Sequence, residues 1–180
     1  LYALSLDNAP QTPDIILGLS NILRYVLYEC TAEQVLLKRD IGVLKDYIEL
    51  EKLRYEDRLE LNANISEPAG NAEIAPLLML PLVENAFKHG AAETTDTPWI
   101  NIELRISGDA LAFKISNSKP EQPVASGPGQ KLSGEIGLLN LRKRLELLYP
   151  GKHSFRYFDE SDCFIAELNV QLSSNSKNKK

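Results

Sequence analysis

The segment Pro81-Leu82-Val83-Glu84-Asn85-Ala86-Phe87-Lys88-His89-Gly90 carries the densest chemistry in this sequence. Read as a helix, it places Asn85, Lys88 and His89 on one face, because residues three and four apart are neighbours. Leu82, Val83, Ala86 and Phe87 then cover the other sides. An amide, an ammonium and an imidazole beside a buried surface are costly unless they meet something polar. A triphosphate with a magnesium ion would meet all three: an amide oxygen suits the metal, and cationic donors suit phosphate oxygens. The plainer reading is a helix end at the surface. Lys88 and His89 would then complement the C-terminal dipole, with Gly90 just past the last turn.

A second candidate is Gly134-Glu135-Ile136-Gly137-Leu138-Leu139-Asn140-Leu141-Arg142-Lys143-Arg144-Leu145. Two glycines ahead of an amphipathic helix let a backbone come close to a ligand and offer free N–H groups to phosphate. The bland counterpart is a turn before an ordinary helix. In that reading Leu138, Leu141, Leu145 and Leu148 serve the core, while Arg142 and Arg144 lie on a solvated face or in local ion pairs.

The elements that must position these residues change period along the chain. Thr12-Pro13-Asp14 is a helix-start signal: a capping hydroxyl, proline at the first helical position and an acid in the first turn. Ile15, Leu19, Ile22 and Val26 follow at helical spacing, with Ile16, Leu23 and Leu27 widening the stripe. A second helix is expected from about Leu37 to Asp57, with Leu37, Ile41, Leu44 and Ile48 inward. Such a hairpin cannot bury a wide apolar stripe alone, and dimerisation into a four-helix bundle would solve that.

Beyond Arg58 the alternation is that of strands. Leu59, Leu61, Ala63 and Ile65 form one set, and Ile100 to Ile106 pairs with Leu111 to Ile115 across Gly108-Asp109 as a hairpin. His153 to Asp159 and Cys163 to Leu172 make a second hairpin around Glu160-Ser161. Two helices, about Pro76 to His89 and about Ile136 to Tyr149, are available to cover one sheet face. The expected class is α+β, a two-layer α/β sandwich preceded by a helical hairpin. Between strand and helix runs a loop from Ser118 to Ser133, closed by Gly134 and holding Pro120, Pro123, Gly127, Pro128 and Gly129. A loop of that length in a compact domain suits a lid.

A formal net charge of −5 argues against general nucleic-acid binding. Cys30 and Cys163 have no Cys or His at metal-ligand spacing, so free thiols in a reducing compartment are expected. No apolar run reaches the roughly 20 residues that span a bilayer. The chain opens at Leu1-Tyr2-Ala3-Leu4 with no helix-start signal before it, which reads as a piece of a longer protein. The end, with Lys177, Lys179 and Lys180 among Ser and Asn, reads as a disordered tail from residue 173.

Taken together, these segments resemble the LytS-type sensor histidine kinases, with a Bergerat (GHKL-type) ATP-binding domain. Leu19-Ser20-Asn21-Ile22-Leu23-Arg24-Tyr25 and Leu44 to Arg54, including Tyr47-Ile48-Glu49-Leu50-Glu51, look like the two halves of the dimerisation region. Pro81 to Gly90 looks like the N-box, and Ile136-Gly137-Leu138-Leu139-Asn140 through Leu145 like the last glycine box. The resemblance divides the chain into a partial dimerisation and phosphotransfer hairpin (1–58), a catalytic domain with a mixed, mainly antiparallel sheet (59–172) and the tail. It implies ATP and Mg²⁺ as cofactors. Asn85 would coordinate Mg²⁺, Lys88 and His89 would contact the phosphates or close the pocket, and Gly90, Gly134, Gly137 and Leu138 would lie at the nucleotide. Ser118 to Gln130 would form the lid. Glu84 is either a group that polarises the site or an exposed acid beside the asparagine.

Two departures from the family pattern stand out. Where the family has an Asp, with a Gly shortly after it, to accept from the adenine amino group, this chain has Ile115-Ser116-Asn117-Ser118. Asn117 can still accept, without charge assistance. The family's phosphoacceptor histidine lies in an Asn-Pro-His-type motif upstream, and neither His89 nor His153 has that context. The implied function is transfer of the ATP γ-phosphate to that histidine and then to an aspartate of a response regulator, a class that includes LytTR-type DNA-binding proteins. A homodimer through the N-terminal helices is expected, with a cytoplasmic position and a parent anchored in the inner membrane. The rival readings are another enzyme on the same fold, such as an anti-sigma-factor serine kinase, and a non-catalytic pseudokinase that docks and dimerises.

Overall fold

The computed structural model describes residues 12–55, 58–91, 97–120 and 128–174. Helix α1, Thr12–Arg24, begins at the Thr-Pro-Asp signal, where proline's missing N–H has no helical partner to lose. It runs into a wider turn, Tyr25–Glu29, closed by the Cys30 N–H donating to the Tyr25 carbonyl at 3.1 Å. A five-residue turn shifts the phase of the stripe. Tyr25 is therefore fully buried, whereas Val26, expected inward, is 44% exposed. After a short strand β1, Val35–Leu36, helix α2 spans Leu37–Tyr55. Leu37, Ile41, Leu44 and Ile48 are all buried, as their spacing predicts. The helices run antiparallel, with the Asn21 amide donating to Asp46 and the Tyr25 hydroxyl to Asp40.

The alternating segments form a five-stranded sheet. In chain order its members are β2 (Glu60–Ile65), β4 (Trp99–Ser107), β5 (Ala110–Ser118), β6 (His153–Asp159) and β7 (Cys163–Gln171). Their spatial order is β2-β4-β5-β7-β6, with β2 parallel to β4 and every other pair antiparallel. Both expected hairpins are present, and Gly108 turns the first one at φ 57°. Register stacks Ile102 beside Ile115 and Ala166, and Leu104 beside Phe113 and Leu168, all on one buried face. Each of the Ile, Leu and Phe side chains contributes about 1.5–3 kcal/mol by leaving water.

Two helices cover that face: α3, Leu80–Ala86, and α4, Pro128–Leu148. Leu82, Val83 and Ala86 of α3, with Leu138, Leu141 and Leu145 of α4, join the sheet residues in one core. This is the two-layer α+β sandwich. The core extends without a break to Leu37, Ile41, Leu44, Ile48 and Tyr55 of α2.

Three boundaries differ from the sequence reading. Helix α3 starts at Leu80 rather than near Pro76, because Leu77 adopts a left-handed conformation at φ 58° that no helix can pass through. Helix α4 starts at Pro128, well before Ile136; proline fits a first helical turn, so Pro128 starts the helix instead of breaking it. Ser173 and Ser174, expected to open a disordered tail, form strand β8 against β3, Ala72–Ile74, which also pairs with β1. Strands of two or three residues are too short for alternation to mark them. Residues 175–180 of the expected tail lie outside the described residues.

Candidate functional site

Asn85 lies in the last turn of α3, half-buried, beside an exposed Glu84. The helix then widens over Phe87–Ala91, and this turn carries Lys88 and His89, both half-buried, and Gly90, buried. The expectation of one shared face for Asn85, Lys88 and His89 assumed uniform α-helical spacing, and that spacing ends at Phe87. Phe87 anchors the turn. Its ring, 1% exposed, stacks on Tyr55 at 6.0 Å and takes Tyr47 edge-on at 6.4 Å. The Tyr55 hydroxyl donates to the Phe87 carbonyl at 3.3 Å. Burial pushes that hydroxyl's pKa up, so it remains a donor.

The wide turn packs against β4 and β5. Its tightest approach is at Gly90, where a Cβ would stand 2.7 Å from both Cβ and Nδ2 of Asn117. Asn117 is 1% exposed. Its Nδ2 donates to the Ser118 carbonyl at 2.8 Å, which fixes the amide, since a flip would set two oxygens against each other. Its Oδ1 is buried and accepts no hydrogen bond among the described residues. A buried acceptor left unmatched costs about 1–3 kcal/mol. An N–H arriving from a bound molecule would remove that cost.

Elsewhere the glycine box is placed differently from expectation. Gly134 and Gly137 lie within α4, not ahead of it. Only the first four N–H groups of a helix lack an internal acceptor, so neither glycine offers a free N–H to phosphate. Leu138 is 9% exposed and belongs to the core, as the apolar spacing indicated. Of the expected lid, Ser118 ends β5 and Pro128 to Gln130 are helical, while residues 121–127 lie outside the described residues. Among the described residues no group of three or more His, Cys, Asp or Glu could hold a metal ion. Cys30 and Cys163 are free thiols, as their spacing predicted.

A family model described as histidine kinase matches residues 1–59. Over 158 residues the chain is 32% identical to sensor histidine kinase BtsS of Escherichia coli (strain K12), covering 87% of this chain and 27% of BtsS. Over 146 residues it is 31% identical to sensor histidine kinase YpdA of the same strain, covering 79% of this chain and 26% of YpdA. The chain belongs to the sensor histidine kinase family. It spans about a quarter of the length of these relatives. Among solved structures, full-length ShkA in complex with AMPPNP matches with a TM-score of 0.52 at 15% identity, over 89% of this chain and 36% of that one. At that identity the likeness is one of fold.

Sequence reasoning passed over one polar group of this chain. Asp40, on α2, is 3% exposed, and its Oδ1 accepts from the Tyr25 hydroxyl at 2.6 Å and from the Leu77 N–H at 2.8 Å. Burial pushes its pKa up, against the opposing pull of the two hydrogen bonds and of Arg144. A signal was available: Asp40 stands three residues after Leu37 and four before Leu44, inside the apolar stripe of α2. A carboxylate there must find donors in the interior.

Proposed function

We propose that this chain is the ATP-binding catalytic region of a two-component sensor histidine kinase of the LytS type. The observation that carries the reading is the Oδ1 atom of Asn117, a buried acceptor that accepts no hydrogen bond among the described residues, on a side chain whose Cβ and Nδ2 lie against Gly90. An adenine amino group is a donor of the kind that would satisfy it. The resemblance puts a carboxylate at this position for the same purpose, and an amide oxygen keeps the acceptor while giving up the charge.

In this reading Lys88 and His89 donate to phosphate oxygens, and Asn85 supplies a side-chain oxygen to Mg²⁺. The ion would offset charge on the transferring phosphoryl group when bound. A site with few protein oxygens suits Mg²⁺, which keeps waters and nucleotide phosphates in its shell. The chain's own contribution is positioning and charge complementarity, the main levers in phosphoryl transfer. The γ-phosphate would pass to a histidine in the upstream motif, and from there to an aspartate of a response regulator, with the LytTR class as the family's frequent partner.

Residues 1–58 would then serve as the dimerisation and phosphotransfer hairpin and 59–172 as the catalytic domain. Support for a homodimer comes from α1 and its turn, where Ile16, Leu23 and Leu27 are more than half exposed. No helix among the described residues is long and apolar enough to cross a membrane. The proposal places this chain in the cytoplasm and the anchor of the whole protein in other segments.

Calorimetric titration with ADP, with and without Mg²⁺, tests the reading. Micromolar affinity that requires Mg²⁺ and is lost in Asn85→Ala is the expected result. No binding at millimolar nucleotide would favour a docking module that has given up its nucleotide.

A further inference from the structure

Helix α3 is held at both ends by one helix of the hairpin. At its exit, Tyr55 of α2 donates to the Phe87 carbonyl. At its entry, Asp40 of α2 accepts from the Leu77 N–H. Among the described residues, Leu77 is the non-glycine residue with a positive φ. That conformation is costly for a residue with a branched side chain and persists only where the surroundings hold it. Three features hold it: the Asp40 carboxylate, the fully buried Leu78 and Met79 beside it, and the Tyr149 hydroxyl accepting from the Ala75 N–H at 2.7 Å. The chain enters α3 through this left-handed step, three residues before Leu80. The conformation of Leu77 therefore sets where Asn85 to Gly90 lie.

The same Oδ1 atom also accepts from Tyr25, the first residue of the wide turn after α1. Helix α1 packs mainly on α2. Through Asp40 it gains a hydrogen-bonded route to the start of α3. Nucleotide recognition itself uses none of these three residues.

We propose that Asp40 is a positioning residue for the nucleotide site, holding the left-handed backbone at Leu77 and so linking the helical hairpin to the placement of Asn85, Lys88, His89 and Gly90. The inference rests on the nucleotide reading given above. It separates from a purely structural role through Leu77. Glycine adopts positive φ without steric cost, so Leu77→Gly removes the need for a holding group while also removing a half-buried side chain.

The test is ADP titration with Mg²⁺ on the 180-residue chain, with thermal melting measured on each variant. Asp40→Ala is expected to weaken ADP by about tenfold or more, the value of one buried charged hydrogen bond. Asp40→Ala with Leu77→Gly is expected to recover most of that affinity while melting no higher than Asp40→Ala alone. Affinity that follows melting temperature through the series would overturn the proposal, as would unchanged affinity in Asp40→Ala. Amide exchange on the unmutated chain gives a readout that needs no variant. ADP is expected to slow exchange at Leu77, and an unchanged Leu77 rate would count against the link. Failure of the unmutated chain to bind ADP overturns the nucleotide reading and this inference with it; binding by the unmutated chain with no recovery of affinity in the double variant overturns the inference alone.

Discussion

Gly90 and Asn117 lie so close that any Cβ at position 90 would stand 2.7 Å from the asparagine Cβ. The two residues are far apart in sequence, one in the wide turn after α3 and the other near the end of β5. Their contact joins the segment that carries Asn85, Lys88 and His89 to the one buried amide with an unmatched acceptor among the described residues. It follows that Gly90 is required for space. Its φ is not in the left-handed region, so backbone freedom is not the reason.

Gly90→Ala should therefore displace the wide turn or the amide. Overpacking of this kind costs about 1–3 kcal/mol. Melting is expected to fall by about 2–4 °C for each kcal/mol in a chain of this size. Loss of ADP affinity beyond the loss of stability would show that the turn itself moved. An alanine variant that melts and binds like the parent would contradict the geometry.

Asn117→Ala removes the acceptor while keeping the Cβ that lies against Gly90. If Oδ1 reads the adenine amino group, ADP affinity should drop by roughly tenfold, the worth of a buried hydrogen bond and its partner's desolvation. GDP, which has a carbonyl where adenine has the amino group, should bind the parent weakly and lose little further. Competition titrations of ADP against GDP, on parent and variant, check this. An equal drop for both nucleotides would assign Asn117 a packing role.

Asp40 makes stability depend on pH in a direction opposite to that of a salt-bridged carboxylate. Burial raises its folded-state pKa above the value of about 3.9 expected in the unfolded chain. Between those two values the folded state binds more protons than the unfolded one, so stability falls as pH rises through that window. Asp40→Asn abolishes this component. The melting temperature of the parent minus that of Asp40→Asn should be highest near pH 4 and decline toward neutrality. A difference that stays flat over that range would mean that Asp40 titrates as a solvated carboxylate.

Much of the fold was legible in the residues. The alternation of Ile100, Ile102 and Leu104 against Leu111, Phe113 and Ile115 specified a hairpin, because period two puts every second side chain on one face. Leu37, Ile41, Leu44 and Ile48 likewise specified the inner face of α2. Boundaries were less legible where a proline or a strained residue decided them. Pro128 reads equally well as a loop residue or as a helix start, and nothing in a leucine announces that Leu77 will take positive φ. The shift from α-helix to a wider turn at Tyr25 and at Phe87 is invisible in residue types, since a single extra residue per turn changes no composition.

The sequence by itself determined the alternation of apolar and polar residues, the chemistry available in Asn85, Lys88, His89 and Asn117, and the resemblance that orders them. These depend on local spacing, which a linear chain displays. The tertiary structure decided which groups share a site. It brought Gly90 against Asn117, set Tyr55 on the Phe87 carbonyl and gave Asp40 its two donors. Each of those contacts depends on how α2, α3 and the sheet pack together. A buried polar atom is satisfied or left open only when the packing around it closes, and no local pattern encodes that outcome.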